Sequence, residues 1–217
     1  MLPEVESQVA EASRVSKQLP IIYLARHGET AWTVTGQHTG RTDLPLTEAG
    51  ERNARRLRER LKGLTFAKVF TSPLQRAVRT CELAGFGAVT EVDDDLVEWD
   101  YGEYEGLTTA EIRAKNPAWQ LFRDGCPGGE SPKQAAARAD RVVSRVRAVQ
   151  GDVLLFSSGH FIRVIGCPLD WYRIRGERQV LHVEHSQSER VELRTRSLPA
   201  GDPAVERHSS CDFLRWS

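Results

Sequence analysis

Short apolar runs alternate along this chain with amphipathic helical segments, and this alternation is the feature that most constrains its fold. The runs "PIIYLA", "AKVFTSP" and "GDVLLFSSGH" have the length and apolar content of buried strands. The segments between them, "LTEAGERNARRLRERLKGL", "PLQRAVRTCELAG" and "SPKQAAARADRVVSRVRAV", carry apolar residues at helical spacing. Strands separated by helices predict an α/β fold with a mostly parallel central sheet flanked by helices.

Smaller signals refine this outline. Thr47 and Ser131 are typical residues at the start of a helix, and Pro73 suits a first helical turn. The runs "AVTEV" and "DLVEW" predict two further strands. They are followed by a less regular acidic and aromatic section that extends to about Gly129.

The chain divides into three predicted parts: an N-terminal extension (1–19), one domain (20–165) and an atypical tail (166–217). The extension lacks a basic start followed by an apolar core, so we do not expect a secretory signal. No apolar run approaches the roughly 20 residues that span a bilayer, so we expect no membrane association.

Charge and cysteine content exclude several function classes. The 30 basic and 30 acidic residues cancel, which argues against a global field that attracts nucleic acid. The four cysteines form no CxxC pair and no metal-like spacing with histidine. We therefore expect reduced thiols, a cytoplasmic location, no metal and no cofactor. None of these features predicts an oligomeric state.

Charged side chains follow three of the predicted strands. Arg26 and His27 end the first, Arg76 lies in the first helical turn after the second, and His160 ends the last. Ligands bind at the carboxyl ends of parallel strands. A fourth group, Glu98, lies in "LVEWDYGEYEG". Each residue alone has an ordinary interpretation as a structural histidine, a helix-face arginine or a solvated acid. Together they predict chemistry on a phosphate.

The segments "ARHGET", "SPLQRAVRT", "VEWDYGEYEG" and "SSGHFIRV" resemble the signature of the histidine phosphatase superfamily, also called the phosphoglycerate mutase-like family. The resemblance covers about residues 20–165. The stretches "GQHTGRTDLPLTEAGE", "EWDYGEYEGLT" and "FRDGCPGGES" resemble the branch of sugar-bisphosphate phosphatases. The resemblance implies a phosphoglycerate mutase-like fold and metal-independent chemistry on a small phosphate ester.

The resemblance also implies roles for the charged residues. His27 would attack phosphorus and form a phosphohistidine, which suits a neutral imidazole. Arg26 and Arg76 would present forked donors to the phosphoryl oxygens. His160 would donate to the same group, and its charged form would favour the transition state.

Glu98 would protonate the leaving oxygen and then activate water against the phosphohistidine. The first of these steps needs a carboxyl that holds a proton. The acidic neighbours Asp100 and Glu103, together with bound phosphate, would favour that protonated form.

Secondary positions follow from the same resemblance. Thr39 and Gly40 lie where relatives contact the phosphate or the substrate, and Tyr101 either lines the pocket or packs in the core. Two residues depart from the pattern: Thr33 stands where many relatives carry Asn, and Ser158 where they often carry a first His. These departures affect side-chain orientation or substrate preference rather than the class of reaction.

Hydrolysis of small phosphorylated metabolites such as sugar phosphates is the favoured activity. Mutases of this family carry an extra segment between the acid and the second histidine, and the interval from Glu98 to His160 is short. Water should therefore reach the phosphohistidine. The alternatives are a phosphoglycerate mutase and an inactive module that binds a phosphorylated ligand, the latter because of the altered C-terminus.

The tail from Ile165 onward is rich in Arg and Ser and has little apolar periodicity. It is either a divergent or disordered tail or the product of a shifted reading frame. If the codons of Ile165–Leu193 are suitable synonymous ones, translating them one nucleotide later gives a peptide that resembles a helix and a strand of the family. The coding DNA tests this hypothesis, because codons incompatible with the shifted peptide exclude it. If the hypothesis holds, we expect poor solubility or low activity.

Overall fold

A computed structural model describes residues 20–166 and 180–183. Within them the strands form one sheet in the order β3-β2-β4-β1-β5, and every neighbouring pair is parallel. The strands are β1 (Ile22–Arg26), β2 (Lys68–Thr71), β3 (Thr90–Val92), β4 (Val153–Ser157) and β5 (Val180–Val183). The parallel sheet with flanking helices confirms the predicted fold class.

Helices connect and cover the strands. They are α1 (Ala31–Thr35), α2 (Glu48–Arg60), α3 (Gln75–Leu83), α4 (Thr109–Lys115), α5 (Leu121–Asp124), α6 (Pro132–Arg147) and α7 (Gly159–Gly166), with 3-10 turns at Asp94–Leu96 and Gly102–Tyr104. The predicted helix starts at Thr47 and Ser131 are confirmed, whereas Pro73 precedes the N-cap Leu74 of α3 and lies outside its first turn. The Thr47 side chain accepts from the N–H of Gly50, and the Ser131 side chain accepts from that of Gln134.

Both faces of the sheet are buried, as expected for a parallel sheet covered by helices. Leu24 and Leu155 belong to the apolar cluster on one face, and Tyr23 and Phe156 to the cluster on the other. Because β1 and β4 lie side by side inside the sheet, the residues that follow them are held by packing on both sides.

Two parts of the sequence interpretation are corrected. "AVTEV" contains β3, but "DLVEW" is not a strand. The Asp93 carboxylate accepts from the N–H of Asp95 and starts the 3-10 turn there. The carbonyls of Asp95 and Val97 accept from the Arg138 guanidinium rather than from a neighbouring strand. The section expected to be irregular up to Gly129 contains α4 and α5.

The predicted three-part division remains a prediction. The extension 1–19 and most of 166–217 lie outside the described residues. The described parts of 166–217 are Gly166, at the end of α7, and β5, which pairs with β1 over Ile22–Ala25. Cys81 and Cys126 are buried and unpaired. Within the described ranges, no helix combines the length and apolar character needed to cross a membrane.

Candidate active site

The carboxyl ends of β1, β2 and β4 meet at one edge of the sheet. The N–H of His27 donates to the Ser157 carbonyl at 3.0 Å, and that of Ser72 donates to Phe156 at 2.9 Å. The Arg26 guanidinium lies against the β4–α7 turn, since a Cβ added at Gly159 would be 3.1 Å from Arg26 Nε. The residues after three strands are thereby brought into one region, as the sequence predicted.

His27 is buried and its geometry leaves one ring nitrogen available. Its Nδ1 donates to the Gly28 carbonyl at 2.8 Å, so Nε2 carries the free lone pair of the neutral ring. Burial, followed by the charges of Arg26 and Arg76, lowers the pKa of His27 to about 3. A neutral imidazole with an exposed lone pair is the form that attacks phosphorus.

The turn that carries His27 is closely packed against α2. A Cβ at Gly28 would lie 2.6 Å from the Gly50 carbonyl oxygen, closer than a real side-chain carbon approaches. The N–H of Gly28 donates to Thr80 Oγ1 at 2.9 Å. Only glycine fits this turn, and its neighbours fix the direction of the imidazole.

Arg76 is fully buried, and the structure changes its expected role. Its Nη1 donates to the Thr42 carbonyl at 2.8 Å, and its Nη2 to those of Gly40 at 2.8 Å and Thr39 at 3.2 Å. The terminal nitrogens therefore bind a loop, through one bond from Nη1 and two from Nη2. Nε has no partner among the described residues and is a donor available to a phosphoryl oxygen.

Glu105 fixes the same loop from its other side, a role that the sequence reasoning missed. Its carboxylate accepts from the N–H of Gly40 at 2.8 Å and from that of Thr42 at 3.0 Å. A Cβ at Gly40 would be 2.6 Å from Glu105 Oε2 and from the Trp99 carbonyl. Thr39 and Gly40 thus reach the site by their main chain, and the Thr39 hydroxyl donates to the Gln37 carbonyl at 3.3 Å.

Glu98 is buried beside the turn that carries His160. Its Oε2 accepts from the N–H of His160 at 3.0 Å, and its Oε1 accepts from those of Phe161 and Trp99, each at 2.8 Å. Three N–H donors therefore hold the Glu98 carboxyl at the N-terminus of α7, beside the turn that carries His160.

The acidic surroundings expected for Glu98 are arranged differently. The Asp100 carboxylate accepts from the N–H of Gly102 at 3.0 Å and pairs with Arg41 at 3.5 Å. The Glu103 side chain lies near Gly128, where an added Cβ would be 3.7 Å from its Cγ. The Asp100 and Glu103 side chains therefore make these contacts rather than contacts with the Glu98 carboxylate.

Tyr101 acts on His160 rather than only lining a pocket. Its hydroxyl is 2.5 Å from His160 Nδ1. Burial, followed by the charge of Glu98, raises the pKa of Tyr101 well above its usual value, so the hydroxyl keeps its proton. Burial, then Arg163, His38 and Arg26, lowers the pKa of His160 to about 3. The ring is therefore neutral in this structure, whereas the family resemblance implies its charged form, and its Nδ1 is bound to the Tyr101 hydroxyl.

His38 is a second site residue that the sequence reasoning missed. Its ring centroid is 4.7 Å from that of Tyr101 and 5.7 Å from that of His160. Its Nε2 is 3.2 Å from Thr109 Oγ1, and burial lowers its pKa. The Phe122 ring is also 5.7 Å from His160. The only local signal was the place of His38 directly before Thr39 in "GQHTG".

The two departures from the family pattern have different outcomes. Thr33 caps α1: its hydroxyl donates to the Thr30 carbonyl at 2.8 Å and accepts from the Thr30 N–H at 2.8 Å. Ser158 Oγ is buried without a partner in the described structure, like Arg76 Nε. Buried polar atoms normally have a partner, and both of these donors match the oxygens of a bound anion. No cluster of three metal-ligating side chains occurs among the described residues.

Comparison with known proteins gives consistent matches. The Histidine phosphatase superfamily (branch 1) matches residues 22–195. The chain is 44% identical to an acid phosphatase of Mycobacterium tuberculosis over 148 residues, 66% of this chain and 72% of that protein. It is 32% identical to a sedoheptulose 1,7-bisphosphatase of Saccharomyces cerevisiae over 201 residues, 78% and 73% of the two chains.

The fold is similar to that of a solved phosphoglycerate mutase from Thermus thermophilus. The TM-score is 0.55 at 38% identity, and the match covers 65% of this chain and 80% of the other. Relatives with phosphatase names and relatives with mutase names therefore share this architecture.

Proposed function

Because the chain belongs to the histidine phosphatase superfamily, branch 1, we propose that it hydrolyses small phosphate monoesters, sugar phosphates among them, through a phosphohistidine on His27. The observation that carries the proposal is a buried, neutral His27 whose pKa the charge of Arg76 helps to lower, together with the buried Arg76 Nε that has no partner among the described residues. One atom supplies the lone pair, and the other supplies a charged donor for the group attacked.

In the first step, His27 Nε2 attacks phosphorus while the bond from phosphorus to the ester oxygen breaks. The negative charge on the outer phosphoryl oxygens is met by Arg76 Nε, by the Arg26 guanidinium and by the His160 Nε2–H. Charge-assisted hydrogen bonds contribute roughly 1.5–3 kcal/mol each. Glu98 gives its proton to the leaving oxygen.

In the second step, water attacks the phosphohistidine and the bond from phosphorus to nitrogen breaks. Glu98, whose carboxyl oxygens accept from three N–H donors, takes the proton from the water. Inorganic phosphate leaves, and His27 returns to its neutral form. The cycle uses no metal and no cofactor.

The alternative activity is a phosphoglycerate mutase, favoured by the similarity to the Thermus thermophilus mutase. The interval between Glu98 and His160 favours hydrolysis, because before β4 it holds only a 3-10 turn, the short helices α4 and α5 and the longer α6. An inactive module that binds a phosphorylated ligand is the remaining alternative. The proposal includes a cytoplasmic location, in keeping with the unpaired Cys81 and Cys126.

A phosphate-release screen with a chelator present tests the proposal. The panel contains sugar monophosphates, sugar bisphosphates and phosphoglycerates, and the control is His27→Ala. We expect release by the unaltered chain and none by the variant. Release that persists in His27→Ala eliminates the nucleophile, interconversion of phosphoglycerates without release supports the mutase, and loss of activity with chelator contradicts metal independence.

A further inference from the structure

Arg138, on α6, lies buried beneath the segment that carries Glu98. Its Nη1 donates to the carbonyls of Asp95 at 2.8 Å and Val97 at 2.6 Å, and its Nη2 donates to the carbonyl of Glu98 itself at 3.3 Å. The side chain is 8% exposed. One guanidinium therefore holds three carbonyls within four consecutive residues, in a segment without strand pairing.

The same guanidinium reaches the residue that binds the Glu98 carboxylate. Arg138 Cζ lies 3.7 Å from the centroid of the Phe161 ring, a cation–π contact. The N–H of Phe161 donates to Glu98 Oε1 at 2.8 Å. Arg138 thus contacts the main chain of Glu98 and one of the residues that orient its carboxylate.

Glu130 fixes the orientation of the Arg138 guanidinium. Its Oε1 accepts from Arg138 Nε at 3.0 Å and its Oε2 from Nη2 at 2.7 Å, a two-point pair between largely buried side chains. The Glu130 carbonyl also accepts from Trp99 Nε1 at 2.9 Å. Only a planar fork satisfies a carboxylate and three carbonyls together, so lysine at 138 would keep the charge and lose the geometry.

Two more arginines on α6 bind the same segment from the surface and provide a contrast. Arg141 pairs with Asp95, and Arg145 pairs with Asp93 and Asp95. Their side chains are 56% and 43% exposed. Exposed pairs of this kind contribute little to stability, and within the described residues neither arginine has a hydrogen bond or ion pair to Glu98.

We infer that Arg138 is a positioning residue for Glu98, setting the carboxyl where it can pass a proton to and from the reacting oxygens. The inference rests on the proposed function, in which Glu98 is the acid and the base. Arg138 does not touch substrate and acts through the main chain of Glu98 and through Phe161. A displacement of about 1 Å in a reacting group costs about 100-fold in rate.

The dependence of rate on the leaving group separates positioning from a purely structural role. A nitrophenolate leaves without a proton, whereas an alkoxide needs one from the acid. In the first step, cleavage of the ester bond, a misplaced acid therefore slows only the alkyl ester. We expect Arg138→Lys to lower kcat/KM for β-glycerol phosphate about 10- to 100-fold and that for p-nitrophenyl phosphate less than about 3-fold. Glu98→Gln should show the same selectivity, and the double variant should be no worse than Glu98→Gln alone.

Arg145→Lys is the matched control, and it should change kcat/KM for both substrates equally and by less than about 2-fold. If Arg138→Lys does not fold, Glu130→Gln replaces it, since the fork then loses its charged partner but keeps its carbonyls. Equal losses on both substrates, or a double variant whose losses multiply, overturn the inference. Failure of the proposed function is separate: it appears as phosphate release that survives His27→Ala, or as no release by the unaltered chain.

Discussion

Acidification should destabilise this fold through His27, and the effect has a definite size. The pKa of His27 in the folded chain is about 3, against an ordinary value of 6.5, because burial and then Arg26 and Arg76 disfavour the charged ring. Between these two pH values His27 is protonated in the unfolded chain and neutral in the folded chain. Stability is therefore complete above the unfolded pKa and is lost as the pH falls toward 3.

The magnitude follows from the distance between the assay pH and the unfolded pKa of 6.5. Each pH unit in this window costs about 1.4 kcal/mol for one group. At about pH 5 the His27 contribution to the free energy of unfolding is lower by roughly 2 kcal/mol than at about pH 7.5. His160 shifts in the same direction and adds to the total loss.

A variant isolates the His27 share of this loss. His27→Asn keeps an N–H near the position of Nδ1, able to donate to the Gly28 carbonyl, and removes the titration. Urea unfolding at about pH 7.5 and 5 gives both free energies of unfolding. The unaltered chain should lose roughly 2 kcal/mol more than the variant, while His160 contributes equally to both. Equal losses would refute the reasoning, because His27 would then titrate in the folded chain as it does in the unfolded one.

Three other outcomes test contacts of the site. Tyr101→Phe removes the hydroxyl that binds His160 Nδ1, so kcat should fall about 10-fold with little change in Tm. Nitrogen NMR should then show both tautomers of the His160 imidazole. An unchanged rate contradicts the proposed role of the His160 Nε2–H. Arg76→Lys removes Nε and the hydrogen bonds to the loop carbonyls, so calorimetry should find that inorganic phosphate binds at least about 10-fold more weakly. Equal affinity contradicts the donor role of Nε. Gly40→Ala forces a Cβ to within 2.6 Å of Glu105 Oε2, and urea unfolding should show a loss of about 1–3 kcal/mol; an unchanged midpoint contradicts this packing.

Local patterns explain why much of the fold was predictable. The strand runs, the caps at Thr47 and Ser131 and the charged residues after β1 and β4 all depend on neighbours in sequence. Helix α4 was missed although a local signal exists, since Thr108 and Glu111 form a reciprocal capping box. The pattern of "DLVEW" predicts a strand, but its carbonyls bind Arg138, more than 40 residues away, and the segment pairs with no strand.

The sequence by itself determined the central strands, the long helices between them and the residues at the carboxyl ends of the strands, because periodicity and capping act over a few residues. It placed Arg26, His27 and His160 at one edge of a parallel sheet. The tertiary structure alone decided what each group contacts: the terminal nitrogens of Arg76 bind loop carbonyls, and the Tyr101 hydroxyl binds His160 Nδ1 from 59 residues away. Hydrogen-bond direction and burial are set by contacts between distant segments, and these settle the proton positions on which the chemistry depends.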